Sequence, residues 1–321
     1  MRFYSITIKN QDTGEIKLRY SSQNANGSNN LKALRVVFDI PFYNAAKPAG
    51  SAFIRIYGIP FNQLNQASDF INNEIEIYGG MSSGLPLANP NQRGIILKGS
   101  IWQAFGNWQG TEVVLDLVVQ PFNYPINTAL NLNVNWKKGD SLTTAVTKAL
   151  RTAYPSPSVI INGSFDPRLI ATSDQNGLYY TVEQLASTVD GISRGIINDI
   201  NYLGAQITKT NNGFYLYDNS TAYSPKPLLF TDFIGNATYV DYQQINFKTV
   251  LRGDLTVGDV ITMPAKSNIA NSRNSFTQFR DNISFQNNFR ISQIRHVCDS
   301  RQTTADGWCT VIDAYILTAA K

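Results

Sequence analysis

Few residues in this chain have types and spacing suited to chemistry. The one histidine, His296, lies in an alternating stretch between Arg295 and Val297. A serine hydrolase would need a serine and a carboxylate brought to that imidazole. The local pattern reads instead as a strand histidine whose ring is satisfied by a neighbour. Cys298 and Cys309 fall on opposite arms of one hairpin pattern. Buried thiols and a cross-strand disulfide both fit that placement, whereas a metal centre would need two further good ligands. Glu74 and Glu76 share one face of a strand. Paired carboxylates can hydrolyse glycosides, but period-two spacing of this kind reads as a solvated strand face. No glycine-rich phosphate loop is present. The expectation is a chain that is not an enzyme, with no catalytic, cofactor-binding or metal-ligating residues.

The elements that would position these residues are mostly strands. Tyr4, Ile6 and Ile8 alternate with polar residues, and Asp12-Thr13-Gly14 turns the chain back. Leu34, Val36, Phe38 and Ile40 follow at period two, and Pro41 is expected to end that strand. Ile54 and Ile56, then Ile75 and Ile77, mark two more. The last hairpin of this part is the strongest. Ile95, Leu97 and Ile101 lie on its outgoing arm, the turn is expected within Gly106–Gly110, and Val113, Leu115, Leu117 and Val119 line the return. Short strands joined by turns, without helical spacing, predict a small antiparallel barrel.

Periodicity changes near residue 140. Asp140 or Ser141 can cap a helix in which Leu142, Ala145, Val146, Ala149 and Leu150 share a face. Thr181 with Gln184 fits a capping box for a second helix, whose stripe runs from Val182 to Ile200. Gly191 and Gly195 mark a possible kink there. Asn211-Asn212-Gly213 is a hairpin turn. Strand signals return after Ser224-Pro225-Lys226-Pro227, and the stretch 264–278 reads as polar and irregular. The fold class is therefore mainly β with an α+β insert: two small antiparallel β-barrels, 1–122 and 223–321, flank an α/β domain, 123–222. Gly94–Val119 and Asn288–Leu317 share a layout, with Trp108 and Trp308 beside their turns, as an internal repeat would produce.

Composition bounds the partners. The chain has 321 residues, a net charge of +4 and only 16% charged residues, below the roughly 25% of ordinary globular domains. Asn, Gln, Ser and Thr replace charge, which suits packing against other protein surfaces. The basic residues are scattered, so a nucleic-acid-tracking stripe is not expected. No apolar run is long enough for a membrane helix. The first ten residues alternate and do not resemble a secretory signal. Two cysteines make no disulfide framework, and assembly in a reducing cytoplasm is the expectation. The aromatic complement of 17 Phe, 16 Tyr and 4 Trp fits barrel filling better than an exposed sugar-binding stripe.

One stretch carries a family likeness. Phe233-Ile234-Gly235-Asn236-Ala237-Thr238, then Ile245–Leu251, then Leu255-Thr256-Val257-Gly258-Asp259-Val260, resembles the second-barrel signature of tailed-phage baseplate hub proteins. The closing hairpin, Phe289–Leu317, is similar to the strand pair that ends those chains. Ala237 stands where proline is common, and Arg252-Gly253 where Asn-Pro is common. The resemblance implies a homotrimeric ring in the virion tail baseplate that adapts a hexameric tail tube to a three-fold spike or tip. It implies tail tube or tube-initiator, spike or tip, wedge and tape measure proteins as partners, with DNA passing only transiently through the lumen. The alternative is a glycan- or receptor-binding β protein of a virion.

Overall fold

The computed structural model describes residues 2–44, 51–82, 89–121, 131–157, 159–241, 243–264 and 288–317. The first part of the chain supplies β1 (Arg2–Lys9), β2 (Ile16–Ser21), β3 (Val36–Tyr43), β4 (Ala52–Tyr57), a short helix α1 (Phe61–Asn65), β5 (Glu74–Met81), β6 (Gly94–Gln109) and β7 (Glu112–Pro121). Period-two patterning decides their faces: Tyr4, Ile6 and Ile8 of β1 are buried, as are Val36, Phe38 and Ile40 of β3. The ladder runs β3-β4-β7-β6-β5-β1-β2. Although β1 and β3 stand far apart in that order, Tyr4 meets Phe38 edge-on at 6.4 Å and its hydroxyl donates to the Leu34 carbonyl. The sheet has therefore curled round one core.

Two expectations are corrected here. Pro41 does not end β3 but lies inside it, opposite Arg295. Among the described residues β4 partners only Val36–Asp39, so none of them pairs with the later part of β3 on that side, where a missing N–H need cost no ladder bond. The last hairpin turns at Gly110-Thr111 rather than earlier. Gly110 has φ +61°, a backbone region that favours glycine.

The middle of the chain contains β8 (Leu132–Trp136), α2 (Leu142–Ala153), β9 (Ile160–Gly163), β10 (Gln175–Tyr179), α3 (Val182–Ile197), β11 (Gln206–Thr210) and β12 (Gly213–Tyr217). Ser141 caps α2 by accepting from the Thr144 N–H. Thr181 does the same for α3 through the Gln184 N–H, while the Gln184 side chain accepts from the Tyr180 N–H, one residue before the cap whose N–H the expected box would use. Gly191 and Gly195 leave α3 unbroken. The helix ends at Asn198, which is left-handed at φ +48°. Ile200 consequently falls outside the apolar stripe and is 98% exposed. Both helices and the small sheets β8-β10 and β11-β12-β9 enclose a separate core containing Leu150, Leu185 and Phe214.

The last part supplies β13 (Lys226–Pro227), β14 (Thr238–Tyr239), β15 (Gln244–Val250), β16 (Val260–Thr262), β17 (Asn288–Asp299) and β18 (Trp308–Ile316). Its core is a third cluster around Phe247, Ile261, Phe289 and Ile312. Most of the polar stretch 264–278 lies outside the described residues.

The two β regions repeat one arrangement. Strands β4, β5, β6 and β7 stand in the spatial order β4-β7-β6-β5, and strands β15, β16, β17 and β18 stand in the order β15-β18-β17-β16. Each long hairpin carries a bulge on its outgoing strand. The extra residue is Trp102 in a strand ending at Gln109, and Ser292 in a strand ending at Asp299. The regions are also hydrogen-bonded to each other. The first residues of β17 pair with β16, and Gln293–Asp299 pair with β3, so one antiparallel ladder passes through both.

Candidate functional site at the junction of the two sheet regions

Where β17 leaves one region and joins the other, the inward faces change from apolar to polar. Ile294 belongs to the last core and Cys298 to the first. Between them His296 is buried, with its Nδ1 3.0 Å from the Thr310 hydroxyl and its ring edge-on to Phe42. The Thr310 oxygen also accepts the Arg252 N–H at 3.0 Å. Burial pushes the His296 imidazole down to about 3, so it is neutral at physiological pH. Among the described residues no group of three His, Cys, Asp or Glu is placed to hold a metal.

Arg252 is the centre of this seam. Its guanidinium lies 3.0 Å from Asp232 and 2.7 Å from Asp254, and both Arg252 and Asp232 are buried. Burial alone would lower the Arg252 pKa, but Asp254 and Asp232 hold it raised. Asp232 also accepts from the Gln92 side chain at 2.7 Å, and the Gln92 carbonyl takes the Gly253 N–H. The network thus ties the first region to the last through one desolvated cation and its carboxylates. Gly253 sits beside it for want of space: a Cβ on Gly94 would stand 2.0 Å from the Gly253 carbonyl oxygen. That close approach, more than a turn, explains Arg252-Gly253.

The tip of the last hairpin completes the first core. Leu251, Cys298 and Trp308 pack with Ile6, Phe38 and Ile77. The Trp308 indole donates to the Gly80 carbonyl at 2.8 Å, and Arg2 donates to the Asp299 and Thr304 carbonyls. Cys298 lies opposite Trp308 and Cys309 opposite Val297, so adjacent positions place the two thiols on opposite faces of the sheet. Both are free and buried. Burial pushes both thiols up, which suppresses their reactivity.

The outward face of the same ladder is mixed. Arg295 pairs with Asp39 across β17 and β3, Arg35 with Asp299, and Arg55 with Asp116 across β4 and β7. Half-buried Val37, Phe53, Val118 and Val297 lie among these pairs, and Phe105 is exposed on β6. At the tip of β6, exposed Trp108 meets Phe61 of α1 edge-on at 5.1 Å. Glu74 and Glu76 are part of neither feature. Each lies 3.8 Å from a lysine, Lys98 and Lys9.

The middle unit is locked to this frame along the start of β6. Among the described residues β7 pairs with β6 only from Gly99 onward, so no strand among them covers that side of Ile95–Lys98. The Asn211 side chain bonds this stretch, accepting the Lys98 N–H at 3.1 Å and donating to the Ile95 carbonyl at 2.8 Å.

The same fold, mostly β with two sheet regions around an α/β unit, occurs in two solved tail proteins. The 43 kDa tail protein of prophage MuSo2 from Shewanella oneidensis superposes with a TM-score of 0.53 at 8% identity, covering 100% of this chain and 99% of that one. The tail protein from Neisseria meningitidis MC58 gives 0.50 at 11% identity, over 97% and 96% of the two chains. The E. coli c3393 protein, a component of the type VI secretion system, gives 0.47 at 10% identity, over 88% and 74%. No family model matches the sequence, and no curated protein matches it.

Proposed function

We propose that this protein is the structural hub of a phage tail baseplate, a trimeric ring that adapts a hexameric tail tube to a three-fold spike or tip. The observation that carries this reading is the repeated strand order, β4-β7-β6-β5 and β15-β18-β17-β16, within one ladder. Three chains would present six similar modules in a closed ring, and duplication is how one chain can match six-fold symmetry on one side and three-fold on the other. Full-length overlap with two tail proteins supports the same reading.

The chain divides into units at 1–122, 123–222 and 223–321, with the last hairpin's tip lent to the first unit's core. The role is structural, without catalysis. Its partners are further copies of itself, tail tube or tube-initiator proteins, a spike or tip protein, wedge proteins and the tape measure protein, with DNA only transient in the lumen. Its place is the virion tail, after assembly in the host cytoplasm. Rings of three copies by mass photometry and negative-stain microscopy, alone or with a tube and a spike protein, are the expected result. A chain that stays monomeric at micromolar concentration with those partners present overturns the proposal.

The exposed Trp108–Phe61 pair favours a second reading, binding of a glycan or receptor. It predicts quenching of Trp108 fluorescence by a glycan, lost in Trp108→Ala.

A further inference from the structure

A cavity of about 260 Å³ lies where the three parts of the chain meet, with Asn44, Gln206, Tyr217, Asp218, Arg290 and Tyr315 among its walls. Arg290 is 3% exposed, yet no carboxylate lies within ion-pair distance of it among the described residues. Among the described residues its Nη1 and Nη2 donate only to the Gly258 and Thr221 carbonyls, at 3.2 and 3.4 Å, and Tyr217 and Tyr223 flank its plane. Its Nε–H is buried and unpartnered. Elsewhere in the molecule the buried arginine, Arg252, is held by two aspartates.

The neighbouring charges do not supply what Arg290 lacks. Arg194 is paired with Asp190. Asp218 uses one oxygen for the Asp166 N–H and the Tyr202 hydroxyl, and the other for the N–H and hydroxyl of Ser220. On the opposite side of the need, the buried Asn44 Oδ1 is an acceptor without a donor, while its Nδ2 is spent on Gln206. A buried cation without a counter-charge is costly, and so is a buried polar atom without a partner. One occupant that brings an anionic oxygen to Arg290 and a hydrogen to Asn44 relieves both.

We propose that this cavity binds a small oxyanion that also carries a donor hydrogen, hydrogen phosphate being the simplest. The site would join the middle unit to both sheet regions, since Asn44 follows β3, Gln206 begins β11 and Arg290 is the third residue of β17. The test is thermal unfolding of the full chain at constant ionic strength, with chloride replaced by inorganic phosphate or by sulfate. Phosphate is expected to raise Tm saturably. Sulfate, which has no hydrogen to give at neutral pH, should need about tenfold more for the same rise, the worth of one hydrogen bond. Arg290→Met should abolish the response. Asn44→Asp, which supplies a counter-charge from the protein itself, should raise Tm without phosphate and remove the phosphate effect. It keeps the test decisive if Arg290→Met fails to fold. A Tm indifferent to phosphate overturns the proposal, and so does a response that survives in the folded variants, the mark of an adventitious ion only.

Discussion

The β6–β7 and β17–β18 hairpins share strand order, bulge placement and a tryptophan at the tip, but they use that tip in opposite ways. Trp308 is 3% exposed, sits in the core of the other region and is hydrogen-bonded to Gly80, whereas Trp108 is 65% exposed and meets Phe61 edge-on. The second hairpin is therefore an internal brace. The first leaves its end free for contact outside the chain. Two hairpins alike in strand order thus differ in burial.

The comparison can be broken most forcefully at the brace. Replacing Arg252 by Met leaves Asp232 buried without its cation, and equilibrium unfolding should record a loss of about 3–5 kcal/mol. Trp308→Ala should cost a similar amount, about 3–5 kcal/mol, while Trp108→Ala should stay within about 0.5 kcal/mol, as exposed substitutions do. Equal losses at the two tryptophans would erase the asymmetry. Gly94→Ala would force a Cβ against Gly253, and chemical denaturation should show a cost of about 1–3 kcal/mol.

The smallest effect is the pH dependence of the seam. His296 in the folded chain titrates at about 3, below its ordinary value of about 6.5. The stability that its neutral form contributes is complete above pH 6.5 and is lost as pH falls from there toward 3, because the unfolded chain binds the proton first. His296→Gln cannot titrate, so its Tm should vary less between pH 6.5 and 4.5 than that of the parent chain. Parallel Tm profiles would show that the seam does not respond to His296.

Much of the architecture was legible because alternation is a local signal. Ile54 with Ile56, Ile75 with Ile77 and Phe247 with Thr249 point inward as their spacing predicts, and the capped starts of α2 and α3 follow from Ser141 and Thr181. The β8–β10 pair was missed even though Leu132, Val134 and Trp136 alternate, since five residues give a weak pattern. Pro41 misled because its tolerance depends on where β4 stops, a fact of pairing rather than of sequence. The Arg252 network drew notice only as a departure at Arg252-Gly253. Asp254 is two residues away, but Asp232 is 20 positions from Arg252 and Gln92 a further 140, and neither occurs in a motif.

Side-chain periodicity and turn chemistry, which act over a few residues, determined by themselves that this chain would be mainly β with a helical unit between two hairpin-rich parts. They also determined which side of each strand turns inward. Only the tertiary structure decided that β17 would serve both regions, that Trp308 would be buried while Trp108 stayed outside, and that Cys298 and Cys309 would lie on opposite faces. Those outcomes depend on register and on contacts between residues hundreds of positions apart, where burial and hydrogen bonding act through space rather than along the chain.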